Sequence, residues 1–408
     1  MKLKISLFFL MIMLAGCSSD GEKSLQIKTD PPKRVILYIS DAMPVGAPER
    51  VPLPVFQELK KQGTYYKEMY VSLAAHPKRN DNEDESSYYP WGCSLPNPVA
   101  MTGSIFVGKP GIKNHMIQHS FTERTTAFTV NCGSYEEISP GYTIYHQLEK
   151  NGFPDLFKDE MPVEDAREII VNEDPAFIRI HMQGPGSGGH IVFQGADAHN
   201  QSHLKYAEDD GSIPWAQNIW HPKSPYVYHA QRVDSLLGDL VQWLESTGKM
   251  EETVLIVMGD HGQWDKGTHP PYAEKSNKTP FLILGKGIKK GVTYEYAEVL
   301  DLVPTIAFIA NVSTPKYAQG RVLKECFIGG PQQLPEGREL KRLNQTLIEH
   351  HELISNHPEI LENPEMSALN DKFLTIEEIG TWHKQFTDLE SLLNHNEEIL
   401  ADLKKQVG

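Results

Sequence analysis

Cysteine is scarce, with four residues in 408, and positive charge is in deficit: 39 Lys and Arg stand against 54 Asp and Glu, a formal net charge of −15. So acidic a chain repels phosphate backbones, which excludes general nucleic-acid binding. A small anionic ester remains an allowed partner, because a bound metal ion reverses the local field. No internal repeat is visible, and no apolar run reaches the roughly 20 residues that span a bilayer. With 39% hydrophobic and 23% charged residues, the composition is that of a folded globular protein rather than a disordered one. The length suits one large α/β domain or two domains.

The longest apolar stretch is Ile5 to Leu14, preceded by Lys2 and Lys4 and followed by Ala15-Gly16-Cys17. It reads as the core of an export signal. Small residues before a cysteine resemble a bacterial lipoprotein signal, which implies lipidation of Cys17, a polar tether over 18–32, and a periplasmic or cell-surface location. Contact with the membrane is expected only through that anchor. Cys93, Cys132 and Cys326 remain, enough for one disulfide in an oxidising compartment, with Cys93–Cys132 as one pairing.

Arg34-Val-Ile-Leu-Tyr-Ile-Ser40 is apolar without alternation, as are Ala176-Phe-Ile-Arg-Ile180, Thr253-Val-Leu-Ile-Val-Met258 and Phe281-Leu-Ile-Leu284. Runs of this kind belong to strands buried on both faces, hence to an open, mostly parallel sheet between helices. A helix is expected from about Tyr228 to Ser246, where Val233, Leu236, Leu237, Leu240, Val241 and Leu244 keep helical spacing. Residues 77–92 and 183–225 read as long loops framing a site. Beyond Phe327 the pattern is helical, through Leu340, Leu343, Leu347 and Ile354, then from Ile376 through Trp382 and Phe386 to Leu403. The expected division is therefore a signal at 1–17, a tether at 18–32, a catalytic α/β domain at 33–327 and a helical extension at 328–408.

Open parallel sheets place functional groups just past the C-terminal ends of their strands. Asp41 follows the first apolar run, and Asp260-His261 follows Thr253–Met258. Two carboxylates and an imidazole there suit a divalent ion. His190 and His269 also follow strands and join the candidates, while His181, His199 and His203 rank below them.

Five landmarks in order make the chain resemble the alkaline phosphatase superfamily of phosphatases, phosphodiesterases and sulfatases. They are the Asp41 strand, Cys93-Ser-Leu-Pro-Asn-Pro-Val-Ala-Met-Thr-Gly103, Gly259-Asp-His-Gly262, Thr279-Pro-Phe-Leu-Ile-Leu-Gly285 and Val299-Leu-Asp-Leu-Val-Pro-Thr305. The resemblance implies an exported metal-dependent hydrolase of phosphate or sulfate esters, borne by small molecules or glycans. Its nucleophile falls at Cys93, with Ser94 adjacent, and one or two divalent ions are implied: zinc first, calcium or manganese as alternatives. Asp41, Asp260 and His261 would hold one ion, and His190 and His269 a second; Asn97 and Lys266 would contact the ester oxygens. A sulfatase would carry a modified Cys93, but Leu95 and Asn97 stand where the modification pattern has Pro or Ala, and Arg. A two-metal phosphoesterase would have an Asp where Gly186 stands, with Asp197 or Asp265 as substitutes. The third reading is a catalytically inactive surface binding protein of the same fold.

Overall fold

The structure is a computed structural model describing residues 31–71, 115–148, 158–332 and 339–408, apart from positions 198, 271, 317, 377, 379–381 and 383. Cys17, Cys93, Ser94 and Asn97 lie outside the described residues.

Eight strands form one sheet: β1 (Arg34–Ser40), β2 (Gly63–Tyr70), β3 (Thr126–Val130), β4 (Ile144–Gln147), β5 (Phe177–Met182), β6 (Thr253–Met258), β7 (Lys278–Gly285) and β8 (Val292–Glu298). Their order is β4-β3-β5-β1-β6-β7-β2-β8. All neighbours are parallel except β7, which runs antiparallel to both β6 and β2. The unalternating run of β1 serves two cores at once. Val35 and Leu37 join a cluster on one face, while Ile36 and Tyr38 join the cluster on the other. β6 divides in the same way, Val254 and Ile256 against Leu255 and Val257. Burial on both sides is what removes the period of two from these sequences.

The main helices are α1 (Pro54–Gln62), α2 (Glu160–Asn172), α3 (Gly184–Gln194), α4 (Pro225–Ser246), α5 (Leu302–Ala310), α6 (Glu339–Asn356) and α7 (Leu389–Val407). α4 starts three residues before the expected Tyr228, because the Ser224 hydroxyl accepts from Val227 N at 3.1 Å and Pro225 suits the first turn. Leu340, Leu343 and Leu347 of α6, with Leu389, Leu393 and Leu403 of α7, join Val35 and Leu37 in one cluster, so these helices cover one face of the sheet.

Two expectations are corrected. The helical spacing from Ile376 is met by a regular α-helix only from α7, which begins at Leu389, where Asp388 caps Ser391 N at 2.7 Å. Residues 183–225 contain a regular helix, α3, despite four glycines in its eleven residues. Glycine normally breaks a helix, but here close approach requires it. A Cβ on Gly188 would lie 2.8 Å from the Pro225 backbone, and one on Gly186 would lie 1.6 Å from Asp41 Oδ1. Packing against α4 and the sheet end, rather than propensity, makes this segment helical.

Candidate active site

β5, β1 and β6 are adjacent in the sheet, and the site forms where they end. Asp41 follows β1, His181 lies in the last turn of pleat of β5, and Asp260 and His261 follow β6; all four are buried. Asp260 Oδ1 joins two strand ends by accepting from Ala42 N and His261 N, each at 3.0 Å. Ala42 adopts the left-handed region at φ 53°, and its carbonyl accepts from Gln263 Nε2 at 2.9 Å. The chain is thus turned sharply just where the carboxylates must meet.

Tyr135, carried from the 3-10 turn Gly133–Ile138 after β3, donates its hydroxyl to Asp41 Oδ2 at 2.9 Å and lies 3.4 Å from Asp260 Oδ2. His181 Nε2 is 3.2 Å from Asp41 Oδ2. Ligand atoms of Asp41, His181 and Asp260 fall within 4.8 Å of one another, the one group of three such residues among those described.

The His261 ring is oriented by its own loop. Its Nδ1 lies 2.7 Å from the Gly262 carbonyl, which can only accept, so Nδ1 carries the proton and Nε2 carries the lone pair. That Nε2 is buried without a hydrogen-bond partner among the described residues and faces Asp260 Oδ2 at 3.7 Å. Two acceptors facing across a buried gap call for a cation between them. Asp41, Asp260 and the His261 Nε2 thus offer donor atoms of a kind that suits a divalent metal ion.

His190 and His269 come together, Nε2 to Nε2 at 3.2 Å, and the His269 ring centroid lies 4.3 Å from that of His261. The two histidines named from the sequence thus extend the cluster. The acids suggested as substitutes for Gly186 do not join it. Asp265 accepts from Trp220 Nε1 at 2.7 Å and pairs with Lys275 at 2.5 Å, and Asp197 is exposed. Lys266 is exposed with its Nζ 4.7 Å from the Trp264 ring centroid. Sequence reasoning missed Tyr135 and Arg179 and ranked His181 low. One signal was present: an arginine inside an otherwise apolar strand buried on both faces.

Burial pushes the Asp41 carboxyl well above its ordinary range, and the neighbouring Asp260 charge adds to this. Burial also acts to raise Asp260, but His261, His181 and the Ala42 amide outweigh it and hold it low. Burial depresses His181 to about 3 and His190 to about 4, and drives His269 well below its usual value. A histidine depressed in the folded state binds fewer protons there than when unfolded, so its neutral form costs stability as pH falls below the unfolded value of about 6.5. Asp41 acts in the opposite direction, one group against three. The metal-free chain should therefore keep its stability above about pH 6.5 and lose it toward pH 4, with His181 alone contributing up to about 1.4 kcal/mol per pH unit. Denaturant titrations at stepped pH measure this; a stability that stays level or rises on acidification contradicts the burial of these rings.

Comparison with known proteins agrees with this architecture. A protein of solved structure in complex with its substrate D-glucosamine-2-N,6-O-disulfate superposes with a TM-score of 0.52 at 14% identity, covering 76% of this chain and 83% of its own. A 2-O GAG sulfatase superposes with a TM-score of 0.53 at 16% identity, covering 75% and 76%. These likenesses establish a shared α/β fold. The model of the Sulfatase family matches residues 59–312, more than half of the chain, and the chain belongs to that family, within the alkaline phosphatase superfamily. The choline-sulfatase of Rhizobium meliloti is 25% identical over 132 residues, 31% of this chain and 25% of the relative. The arylsulfatase of Clostridium perfringens is 32% identical over 115 residues, 25% of this chain and 23% of the relative. The Delta 4,5-hexuronate-2-O-sulfatase of Bacteroides thetaiotaomicron is 25% identical over 126 residues, 29% of this chain and 26% of the relative. The chain spans about a quarter of the length of these curated relatives.

Proposed function

We propose that this chain is a metal-dependent hydrolase of sulfate esters carried by a small molecule or a glycan. The observation that carries the reading is the His261 Nε2 lone pair, buried and unpartnered among the described residues opposite Asp260, with Asp41 beside them. Membership of the Sulfatase family supports sulfate over phosphate as the ester. The names of the relatives, which specify choline, aryl and hexuronate sulfates, support the breadth of substrate class.

A divalent ion held by Asp41, Asp260 and His261 would supply positive charge to the ester oxygens and favour the deprotonated nucleophile. Two carboxylates and one imidazole form an oxygen-rich set, which suits calcium, magnesium or manganese as well as zinc. The zinc expectation counted His190 and His269 as ligands, but those rings are hydrogen-bonded to each other.

The chain's own residues divide the remaining work. The resemblance places the nucleophile at Cys93, which a sulfatase carries in modified form, with Ser94 as its neighbour, to attack sulfur as the ester S–O bond breaks. Tyr135 holds Asp41 in place through its hydroxyl. His190 and His269 hold each other through their Nε2 atoms and stand next to His261, fixing that side of the site. Water then releases sulfate from the nucleophile. Asn97 and Lys266 are the candidate contacts for the non-bridging oxygens. The basic and apolar start of the chain supports export, with lipid anchoring at Cys17 on the periplasmic or outer surface. The test is turnover: purified protein must release sulfate from an aryl ester and cease to do so when chelated.

A further inference from the structure

Arg179 is a cation in the interior of β5, with no exposure and no carboxylate within ion-pair distance among the described residues. Such a group is expensive to bury and calls for a reason. Aromatic faces surround it: its guanidinium carbon lies 4.9 Å from the Phe128 ring centroid and 5.8 Å from that of Tyr135. Its Nε and Nη1 have no hydrogen-bond partner among the described residues. The directed bond it makes is from Nη2 to His181 Nδ1, at 3.2 Å.

A guanidinium only donates, so the direction of that bond is settled by chemistry. His181 Nδ1 must offer its lone pair, and the proton of the neutral ring must sit on Nε2. That Nε2 lies 3.2 Å from Asp41 Oδ2, to which it donates. His261 is the reverse case, with its proton on Nδ1 and its lone pair turned inward. Two histidines at the ends of β5 and β6, on either side of β1, therefore hold opposite tautomers. To bind a metal through Nε2, His181 would have to move its proton to Nδ1, where it would confront the Arg179 N–H.

We propose that His181 is a positioning residue for Asp41 rather than a metal ligand, and that Arg179 enforces this by fixing its tautomer. The relay Arg179–His181–Asp41, together with the Tyr135 hydroxyl, places two donors on Asp41 Oδ2 and fixes the carboxylate's orientation. It deepens the metal-site reading and rests on Asp41 being a ligand. Partners that orient a ligating group typically govern metal affinity by about 10–100-fold.

The experiment is histidine-nitrogen NMR on the full chain labelled at histidine, first without metal and then with NMR-active cadmium, with His181→Gln assigning the resonance. The expected result is a proton on Nε2 of His181 in both states, with cadmium coupling to His261 and none to His181. Cadmium coupling to His181, or a proton on Nδ1 in the metal-free chain, overturns the proposal. Absence of any cadmium binding would sink the metal reading instead, and the metal-free tautomer would still decide the relay. Arg179→Met should weaken cadmium binding by about 10–100-fold, with Arg179→Lys recovering part of the loss. Unchanged affinity in a folded Arg179→Met protein counts against the proposal, and the tautomer measurement does not depend on that variant folding.

Discussion

Gly186→Asp abolishes turnover instead of completing a second metal site. On the pattern of two-metal phosphoesterases, this substitution restores a missing ligand next to His190 and His269 and should raise both metal content and phosphate-ester activity. The geometry predicts the opposite. A Cβ on Gly186 would lie 1.6 Å from Asp41 Oδ1, so the first atom of any side chain displaces that carboxylate. α3 cannot simply retreat, because Gly188 and Gly189 behind it are packed on the Pro225 backbone and on Gln263. A shift of about 1 Å in a catalytic group costs roughly 100-fold in rate, and the loss here should exceed that. Gly186→Ala should behave alike, since the collision is with Cβ and not with the carboxylate beyond it. Turnover and metal content per chain check this. An Asp variant that binds an added equivalent of metal and gains phosphatase activity contradicts the account.

Asp260→Asn separates charge from shape at the centre of the site. The amide oxygen can still accept from Ala42 N and His261 N, so the junction of β1 and β6 is retained. The negative charge opposite His261 Nε2 is lost. Metal affinity and turnover should both fall by more than the roughly 100-fold typical of outer partners. The metal-free protein should lose part of its stability, because the fold favours the Asp260 charge, an effect offset in part by relief of the Asp41 carboxyl that this charge pushes up. Calorimetric metal titration and thermal unfolding without metal measure the two effects. A variant that unfolds more readily yet binds metal unchanged would make Asp260 a structural cap.

How much of this was legible in the sequence depends on the kind of signal each feature leaves. Central strands β1, β5, β6 and β7 announced themselves because burial on both faces demands uninterrupted apolar residues. β2 and β8 did not, since Gly63–Tyr70 carries Lys67 and Glu68 among its buried residues and Val292–Glu298 shows only a weak alternation of half-buried and exposed positions. The start of α7 was misplaced because apolar spacing runs on upstream, and only the Asp388 cap marks the true boundary. α3 was invisible, because its glycines look like a loop until Asp41 and the Pro225 backbone are seen pressing on them.

The candidate site divides along the same line. Asp41, Asp260 and His261 were readable because their placement after strands is itself a local signal. Tyr135 and His181 reach Asp41 through bonds that cross 94 and 140 residues of chain, and no local pattern encodes such a meeting. Arg179 was visible as an anomaly, one charge in an apolar run, but its purpose emerges only when its partner is known to be a histidine nitrogen.

The measurement that tests the central claim most directly is hydrolysis of matched aryl sulfate and aryl phosphate esters by the purified protein, before chelation, after it, and after divalent metal is returned. The account predicts that sulfate release exceeds phosphate release, disappears on chelation and is restored by metal. Sulfate turnover indifferent to chelation, or hydrolysis confined to the phosphate ester, would contradict it.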